Sequence, residues 1–281
     1  MQMHAPFLYK GKAAQSMKNI NPNDAVFSSD KFLSDKVNFN IMFRLLQYED
    51  AFIKAYKDSI IAVQTSPDRA MWIWNEQGAD AFALDKAAEL AENRLNEYGL
   101  LDVQCKNELA EVLKRRLAGF ITACGGSNAY ACKKVNIINA PGYIDRARID
   151  EANILAVYVS QMDEDIYGNI VNPRSLLPEM GKWINDPDFY IWRDEDTSIT
   201  AMAKMNYTDG GMVRINSVFT RRDKRGRGFA PALVSRLCDK AIKEGLLPML
   251  YADSEYPSSN RAYQKIGFTK EGYTAKISLK K

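Results

Sequence analysis

Arg225-Gly226-Arg227-Gly228-Phe229-Ala230 stands between two segments of different period. Before it, Met212-Val213-Arg214-Ile215-Asn216-Ser217-Val218-Phe219-Thr220 is rich in β-branched residues and predicts a long strand. After it, Ala230, Leu233, Val234, Leu237, Cys238, Ala241 and Ile242 recur on one helical face, and Gly245 closes the run. Pro231 fits the first helical turn, where no amide hydrogen is needed. Glycines just before a helix let the backbone curl round an anion, so that free amides and the helix dipole face its charge. Arg221, Arg222, Lys224, Arg225 and Arg227 crowd the same turn, which suits a pyrophosphate. Two other readings compete: a solvated strand-to-helix connection, and a dinucleotide-binding turn. The second lacks its third glycine, because Pro231 stands there, and residues 221–225 separate the glycines from the strand end. Asp253 would serve it as the ribose-binding acid.

Further along, Pro248-Met249-Leu250-Tyr251-Ala252-Asp253 predicts a buried strand. A helix follows, with Ser258 or Ser259 as its cap, and ends in Tyr263-Gln264-Lys265-Ile266-Gly267-Phe268. With this pair of elements the sequence resembles the GNAT superfamily, the acetyl-coenzyme A-dependent N-acetyltransferases. Residues 225–230 match the family's pyrophosphate turn, Gln/Arg-x-x-Gly-x-Gly/Ala, and residues 263–268 its Tyr-x-x-x-Gly-Phe element, with helix, strand and helix in the expected order. The resemblance covers about residues 148–281. It implies an α/β chain with a GNAT fold in its C-terminal half, a mixed, central splayed sheet flanked by helices. It implies acetyl-coenzyme A as co-substrate, with no metal, and a primary amine as acceptor attacking directly in a ternary complex. Val218, Phe219 and Thr220 would hold the pantetheine arm through strand-edge backbone. Arg225, Gly226, Arg227, Gly228, Phe229 and Ala230 would surround the pyrophosphate, with Arg221 or Arg222 either at the 3′-phosphate or solvated. Tyr263 matches the tyrosine that protonates the leaving sulfur. Many members carry an asparagine seven residues before that tyrosine; here Tyr256 stands there, and Asn260, three before, is offered to coenzyme A instead. The glutamate often found on the long strand is missing, with Arg214 and Asn216 in its vicinity, so Asp253 and Glu255 become the candidate bases, water relay being the alternative.

The rest of the chain reads as a second α/β domain, with the division placed as 1–145 and 146–281. From Asp30, Phe32, Leu33, Val37, Ile41, Met42, Leu45 and Leu46 predict one helix. Residues 59–63 and 70–74 predict a hairpin, residues 84–95 and 109–117 two helices, Gly125-Gly126-Ser127-Asn128 a turn, and Val135-Asn136-Ile137-Ile138 a strand. Helices near 154–162 and 176–184 and strands at 189–192 and 199–203 lead into the long strand. This order has a faint echo in the first half, and the two-domain layout resembles bacterial members whose N-terminal half is a degenerate GNAT-like domain. An unrelated α/β or helical domain is the alternative. No counterpart of the glycine turn occurs in residues 30–140.

Composition bounds the chemistry. With 281 residues, 46% hydrophobic and 26% charged, the chain has material for more than one core. The single histidine, His4, excludes multi-histidine zinc sites, and a histidine-based hydrolase would have to be built on a terminus. Cys105, Cys124, Cys132 and Cys238 form no Cys-x-x-Cys pair and read as reduced, mostly buried thiols of a cytoplasmic protein. There is no apolar run of membrane-helix length and no secretory pattern at the start. The net charge of +3 divides into +8 for residues 221–281 and −5 for residues 1–220, which suggests an anionic ligand near the C-terminus. A coenzyme A sensor without turnover and a nucleic-acid-binding module using residues 221–227 remain as alternatives, although no nucleic-acid motif accompanies the basic segment. No membrane or nucleic-acid partner is expected; the acceptor and the oligomeric state are open.

Overall fold

The computed structural model describes residues 16–281 apart from Asp209; His4 lies outside the described residues. In chain order the first elements are β1 (Lys18–Asn19), α1 (Asp30–Leu33), α2 (Asn40–Leu45), β2 (Phe52–Tyr56), β3 (Ile60–Gln64), β4 (Met71–Asn75), α3 (Ala81–Tyr98), β5 (Leu100–Cys105), α4 (Asn107–Arg116) and β6 (Ile121–Ala131). They are followed by β7 (Tyr143–Asp145), α5 (Ala152–Tyr167), α6 (Leu177–Asn185), β8 (Phe189–Arg193), β9 (Ile199–Thr208), β10 (Met212–Thr220), α7 (Phe229–Lys243), β11 (Leu247–Asp253), α8 (Pro257–Ile266) and β12 (Thr269–Lys280). Two compact units form. One holds residues 16–34, Leu45–Cys124 and Ala275–Lys281, and the other Asp35–Arg44 and Gly125–Thr274. The chain therefore changes unit at 124/125, whereas the sequence reading divides it at 145/146, and its last seven residues return to the first unit.

In the first unit, β1, β2, β3 and β4 run antiparallel, and α3 crosses over to β5, which pairs parallel with β4 from Met71↔Val103 to Ile73↔Cys105. Apolar spacing explains α3: Ala83, Leu84, Ala87, Ala88, Ala91 and Leu95 are all buried. Its start is sealed by Asp80, whose carboxylate accepts from the Ala83 amide at 2.7 Å. It stops at Gly99, which takes φ +74 and donates its amide to the Leu95 carbonyl. The outer edge of β5 is covered by Ala275–Lys280, paired antiparallel from Ala275↔Cys105 to Lys280↔Leu100.

The second unit repeats this order. β8, β9 and β10 run antiparallel, α7 crosses over to a parallel β11, and β11 pairs antiparallel with Ser127–Ala131 of β6. β7 adds an edge strand beside β8. α5 and α6 pack one face of the sheet through Leu155, Val159, Met180 and Ile184 against Ile191, Met202 and Phe219. α7 packs the other through Leu233, Val234 and Leu237 against Val213, Ile215 and Leu250. Each such side chain, once buried, contributes about 1.5–3 kcal/mol, so α7 is anchored along its whole length.

Three local expectations are corrected. Gly125–Asn128 lies within strand β6 and is not a turn: a Cβ on Gly126 would come within 2.1 Å of the Tyr273 hydroxyl, so glycine is there for close approach. Val135–Ile138 is not a strand. Its amides are met by helices, Asn136 donating to the Ile266 carbonyl at 2.7 Å and Ile138 to Ser235 Oγ at 3.1 Å, while Val135 and Ile138 pack on the α7 core. The helix expected from Asp30 breaks into α1 and α2, because residues 35–44 leave the first unit to pack in the second.

Candidate active site

β10 and β11 are paired only at Met212↔Leu247, Val213↔Pro248 and Arg214↔Met249. Both strands continue, β10 to Thr220 and β11 to Asp253, without further pairing. On its other side β10 stays joined to β9, with an irregularity between Asn216 and Phe219 where Ser217 takes φ +50. The strands thus part beyond Arg214, and the peptide groups of residues 215–220 on the β11 side have no strand partner there. Unpaired edge groups of this kind recruit an extended amide chain. Val218, Phe219 and Thr220 lie on this stretch. The Phe219 side chain itself is buried beside Tyr158, ring centroids 5.6 Å apart, so only its backbone can serve the gap.

The gap leads to the glycine turn. Gly226 and Gly228 take φ +77 and +84, the left-handed region that other residues adopt only with strain. Gly228 occupies the N-cap of α7 and has no side chain to satisfy the first amides, so those of Phe229 and Ala230 keep the orientation that favours an anion. The cations crowding this turn are mostly engaged. Arg221 pairs with Asp223, Arg222 with Glu164 and Asp165, Lys224 with Asp194 at 2.8 Å, and Arg225 with Asp165 while its guanidinium lies 5.4 Å from the Phe219 ring. These partners hold the Asp165 and Asp194 carboxyls below the usual range, because ionised carboxylates are favoured beside arginine and lysine. Arg227 is exposed and has no acidic partner among the described residues.

Tyr263 lies on α8, part-buried against the α7 core and edge-on to Phe268 at 5.9 Å. Its hydroxyl has no hydrogen-bond partner among the described residues, and burial pushes the phenol up to about 12. Gly267, at φ +110, ends α8; a Cβ there would lie 2.2 Å from the Lys134 carbonyl oxygen. That contact explains the Gly-Phe pair: the glycine lets the chain pass Lys134, and Phe268 enters the core.

Asn260 is placed differently from what the sequence suggests. It is 9% exposed, its amide donates to the Asp253 and Tyr256 carbonyls at 2.7 and 2.8 Å, and its oxygen accepts from Asn128 and Tyr130 at 2.9 and 2.8 Å. All four of its hydrogen-bonding capacities are taken, so the side chain has none left for a ligand. It ties the end of β11 to the start of α8. Asp253 is exposed at the end of β11, and its Oδ1 accepts from the Glu255 amide at 2.8 Å. No hydrogen bond joins it to Tyr263.

The family model of the acetyltransferase (GNAT) family matches residues 156–268. Over those residues the chain is similar to GNAT acetyltransferases. Acetyltransferase Atu2258 of Agrobacterium fabrum is 31% identical over 86 residues, 31% of this chain and 61% of that protein, so the match spans less than two thirds of the relative. Among solved structures, a GCN5-related N-acetyltransferase from Sphaerobacter thermophilus shares the fold at TM-score 0.66 and 15% identity, over 94% of this chain and 95% of its own. A GNAT-family acetyltransferase from Colwellia psychrerythraea does so at TM-score 0.58 and 11% identity, over 95% of this chain and all of its own. The fold likeness therefore extends beyond residues 156–268 into the N-terminal residues. There the position equivalent to the glycine turn, between β4 and α3, is filled by the Asp80 carboxylate cap.

Sequence reasoning missed Glu164, Asp165 and Asp194 as neutralisers of the turn, since each lies 30 or more residues from its partner and no local pattern links them. It noted Arg214 only as standing near the missing glutamate, because the burial of Arg214 is visible only once the sheet is built.

Proposed function

We propose that the second unit is an N-acetyltransferase, moving an acetyl group from acetyl-coenzyme A to a primary amine by direct attack in a ternary complex. The observation that carries this reading is the continuous line from the parting of β10 and β11 to the positive-φ glycines at the start of α7. The residues fit the co-substrate: unpaired strand-edge amides for the pantetheine arm, and a helix start without a side-chain cap for the pyrophosphate. Bound there, acetyl-coenzyme A supplies an activated acyl group, and the acceptor amine displaces the thiol. In this reading Val218, Phe219 and Thr220 hold the arm through their backbone. Gly226, Gly228, Phe229 and Ala230 offer the amides, and Arg227 supplies positive charge. Arg225 shapes the turn through Asp165 and the Thr220 carbonyl, to which it donates at 3.2 Å.

Tyr263 donates its hydroxyl proton towards the leaving sulfur as charge develops. Asp253 takes up the amine proton, directly or through water, on an oxygen not used by the Glu255 amide. Asn260 is a positioning residue: it holds the β11–α8 corner that carries both. The test joins calorimetric titration of acetyl-coenzyme A to a thiol-release assay over a broad amine panel. Binding with amine-dependent release supports the reading. Binding without release for any amine favours a coenzyme A sensor, and absence of binding removes the proposal.

A further inference from the structure

Arg214 is 5% exposed, yet its side chain makes no hydrogen bond, ion pair or ring contact with any described residue. The other deeply buried cations among the described residues are matched. Arg193 holds Asp145 and Glu151, Arg94 holds Gln64, and Lys106 lies over Trp74 at 5.7 Å. An unmatched buried guanidinium is costly, because it gives up hydration without a counter-charge. Burial, together with repulsion from the like charge of Arg44, draws the Arg214 guanidinium below the ordinary arginine range.

Its place is informative. Arg214 is the last β10 residue paired with β11, so it stands where the strands begin to part. Asn206 faces it directly across on β9, and its Oδ1 is a buried acceptor with no partner. Residues 37–41 roof the same face: Tyr251, two residues beyond the Arg214 partner Met249, donates its hydroxyl to the Val37 and Asn38 carbonyls and accepts from the Ile41 amide. The Oδ1 atoms of Asn38 and Asn40 in that roof are also buried and unpartnered. The face thus gathers a cation lacking an anion and acceptors lacking a donor. Arg214 is also too remote for the pyrophosphate: six residues of extended strand, about 20 Å, separate it from Thr220 at the turn.

We propose that Arg214 binds a carboxylate of the acceptor, so that the amine acetylated is an amino acid or a close relative carrying both groups. This rests on the acetyltransferase reading for the position of the acyl group. A carboxylate matches Arg214, and the amine beside it offers donors to the asparagine oxygens. The carboxylate could equally belong to a dicarboxylic acyl chain on coenzyme A, and the test separates the two sources.

The probes are glycine, alanine, serine, glutamate and lysine, each beside the amine that lacks its α-carboxylate. Each is assayed with acetyl-coenzyme A and titrated by calorimetry into coenzyme A-saturated protein, which needs no turnover. At least one amino acid should exceed its matched amine by about 10²-fold or more in kcat/KM and in affinity, because the amine leaves a buried group unmatched. Arg214→Met should erase that preference and raise Tm, since it removes an unmatched buried charge; Arg214→Lys should keep part of it. A parent protein that treats every pair alike, a preference that survives in Arg214→Met, or a Tm that falls in both variants overturns the proposal. An Arg214-dependent preference for succinyl- over acetyl-coenzyme A moves the carboxylate to the acyl chain and overturns the acceptor assignment. If acetyl-coenzyme A does not bind at all, the acetyltransferase reading fails, while amino-acid titration of the protein alone still reports on Arg214.

Discussion

Tyr263 and Asn260 sit three residues apart on α8 and do opposite kinds of work. The Tyr263 phenol, near 12, stands well above a thiol's usual value of roughly 8.5, so complete proton transfer to the thiolate would be uphill by about 5 kcal/mol. The hydroxyl therefore acts as a hydrogen-bond donor to developing charge, worth about 1.5–3 kcal/mol, and not as an acid that surrenders its proton early. Tyr263→Phe should lower kcat by roughly 10–10²-fold with little change in acetyl-coenzyme A affinity or Tm, because the hydroxyl has no protein partner to lose. Steady-state kinetics with the best acceptor check this, and parental turnover would make Tyr263 a packing residue. The sign of the pH effect follows. A raised phenol stays protonated, and remains a donor, until pH approaches about 12, so a fall in kcat near pH 9–10 should persist unchanged in Tyr263→Phe. Asn260→Ala should do the reverse. It strands the Asn128 and Tyr130 donors and takes one donor from each of the Asp253 and Tyr256 carbonyls, which should cost about 2–4 kcal/mol in denaturant unfolding and weaken turnover only through the displaced corner.

At the scale of elements, the candidate site is a divergence of two strands that ends on one helix start. β10 keeps its ladder to β9 and abandons β11 after Arg214, and α7 begins on a glycine in the left-handed region. Space around the Gly228 α-carbon is open, so a side chain there meets no neighbour; the penalty is conformational, about 1–2 kcal/mol for an L residue and more for a β-branched one. Gly228→Val should therefore leave a folded protein, by circular dichroism, that binds acetyl-coenzyme A at least about tenfold more weakly by calorimetry. Unchanged affinity would remove the turn from the binding site. The turn was legible in the sequence, because glycine spacing before a periodic helix is a local signal. Asn260 was misread because its four partners come from residues 128, 130, 253 and 256, and two of those lie more than 120 residues away.

At the scale of the whole chain, two units repeat one order of strands and helices but differ at the one position that matters for an anion. α3 starts on the Asp80 carboxylate, α7 on bare glycine. A carboxylate already bonded to the Ala83 amide at this helix start disfavours a phosphate there, so titration should give one coenzyme A per chain; two would reveal a site in the first unit. The first unit also depends on the last residues of the chain. Truncation after Thr274 should strip the β5 edge, so that the Leu101, Val103 and Cys105 amides lose hydrogen-exchange protection first. Retained protection across β5 would show that Ala275–Lys280 is dispensable there. No helix among the described residues is long and apolar enough to cross a membrane.

What the amino-acid order settled was local: the α7 and α8 periodicities, the long strand β10, the glycine turn and the Tyr-x-x-x-Gly-Phe ending, each written within a dozen residues by period, cap and turn chemistry. The three-dimensional fold decided everything that joins distant residues. It placed Gly125–Asn128 in a strand, because Tyr273 lies against Gly126. It sent Ala275–Lys280 to complete the first unit. It paired Arg222, Lys224 and Arg225 of the basic turn with acids from α5 and the β8–β9 connection, so much of the turn's own charge is engaged before any ligand arrives. It left Arg214 buried and unmatched on the central strand. Periodicity depends on neighbours a few residues apart, whereas ion pairing and desolvation depend on what the chain brings back from far away, and no local pattern carries that information.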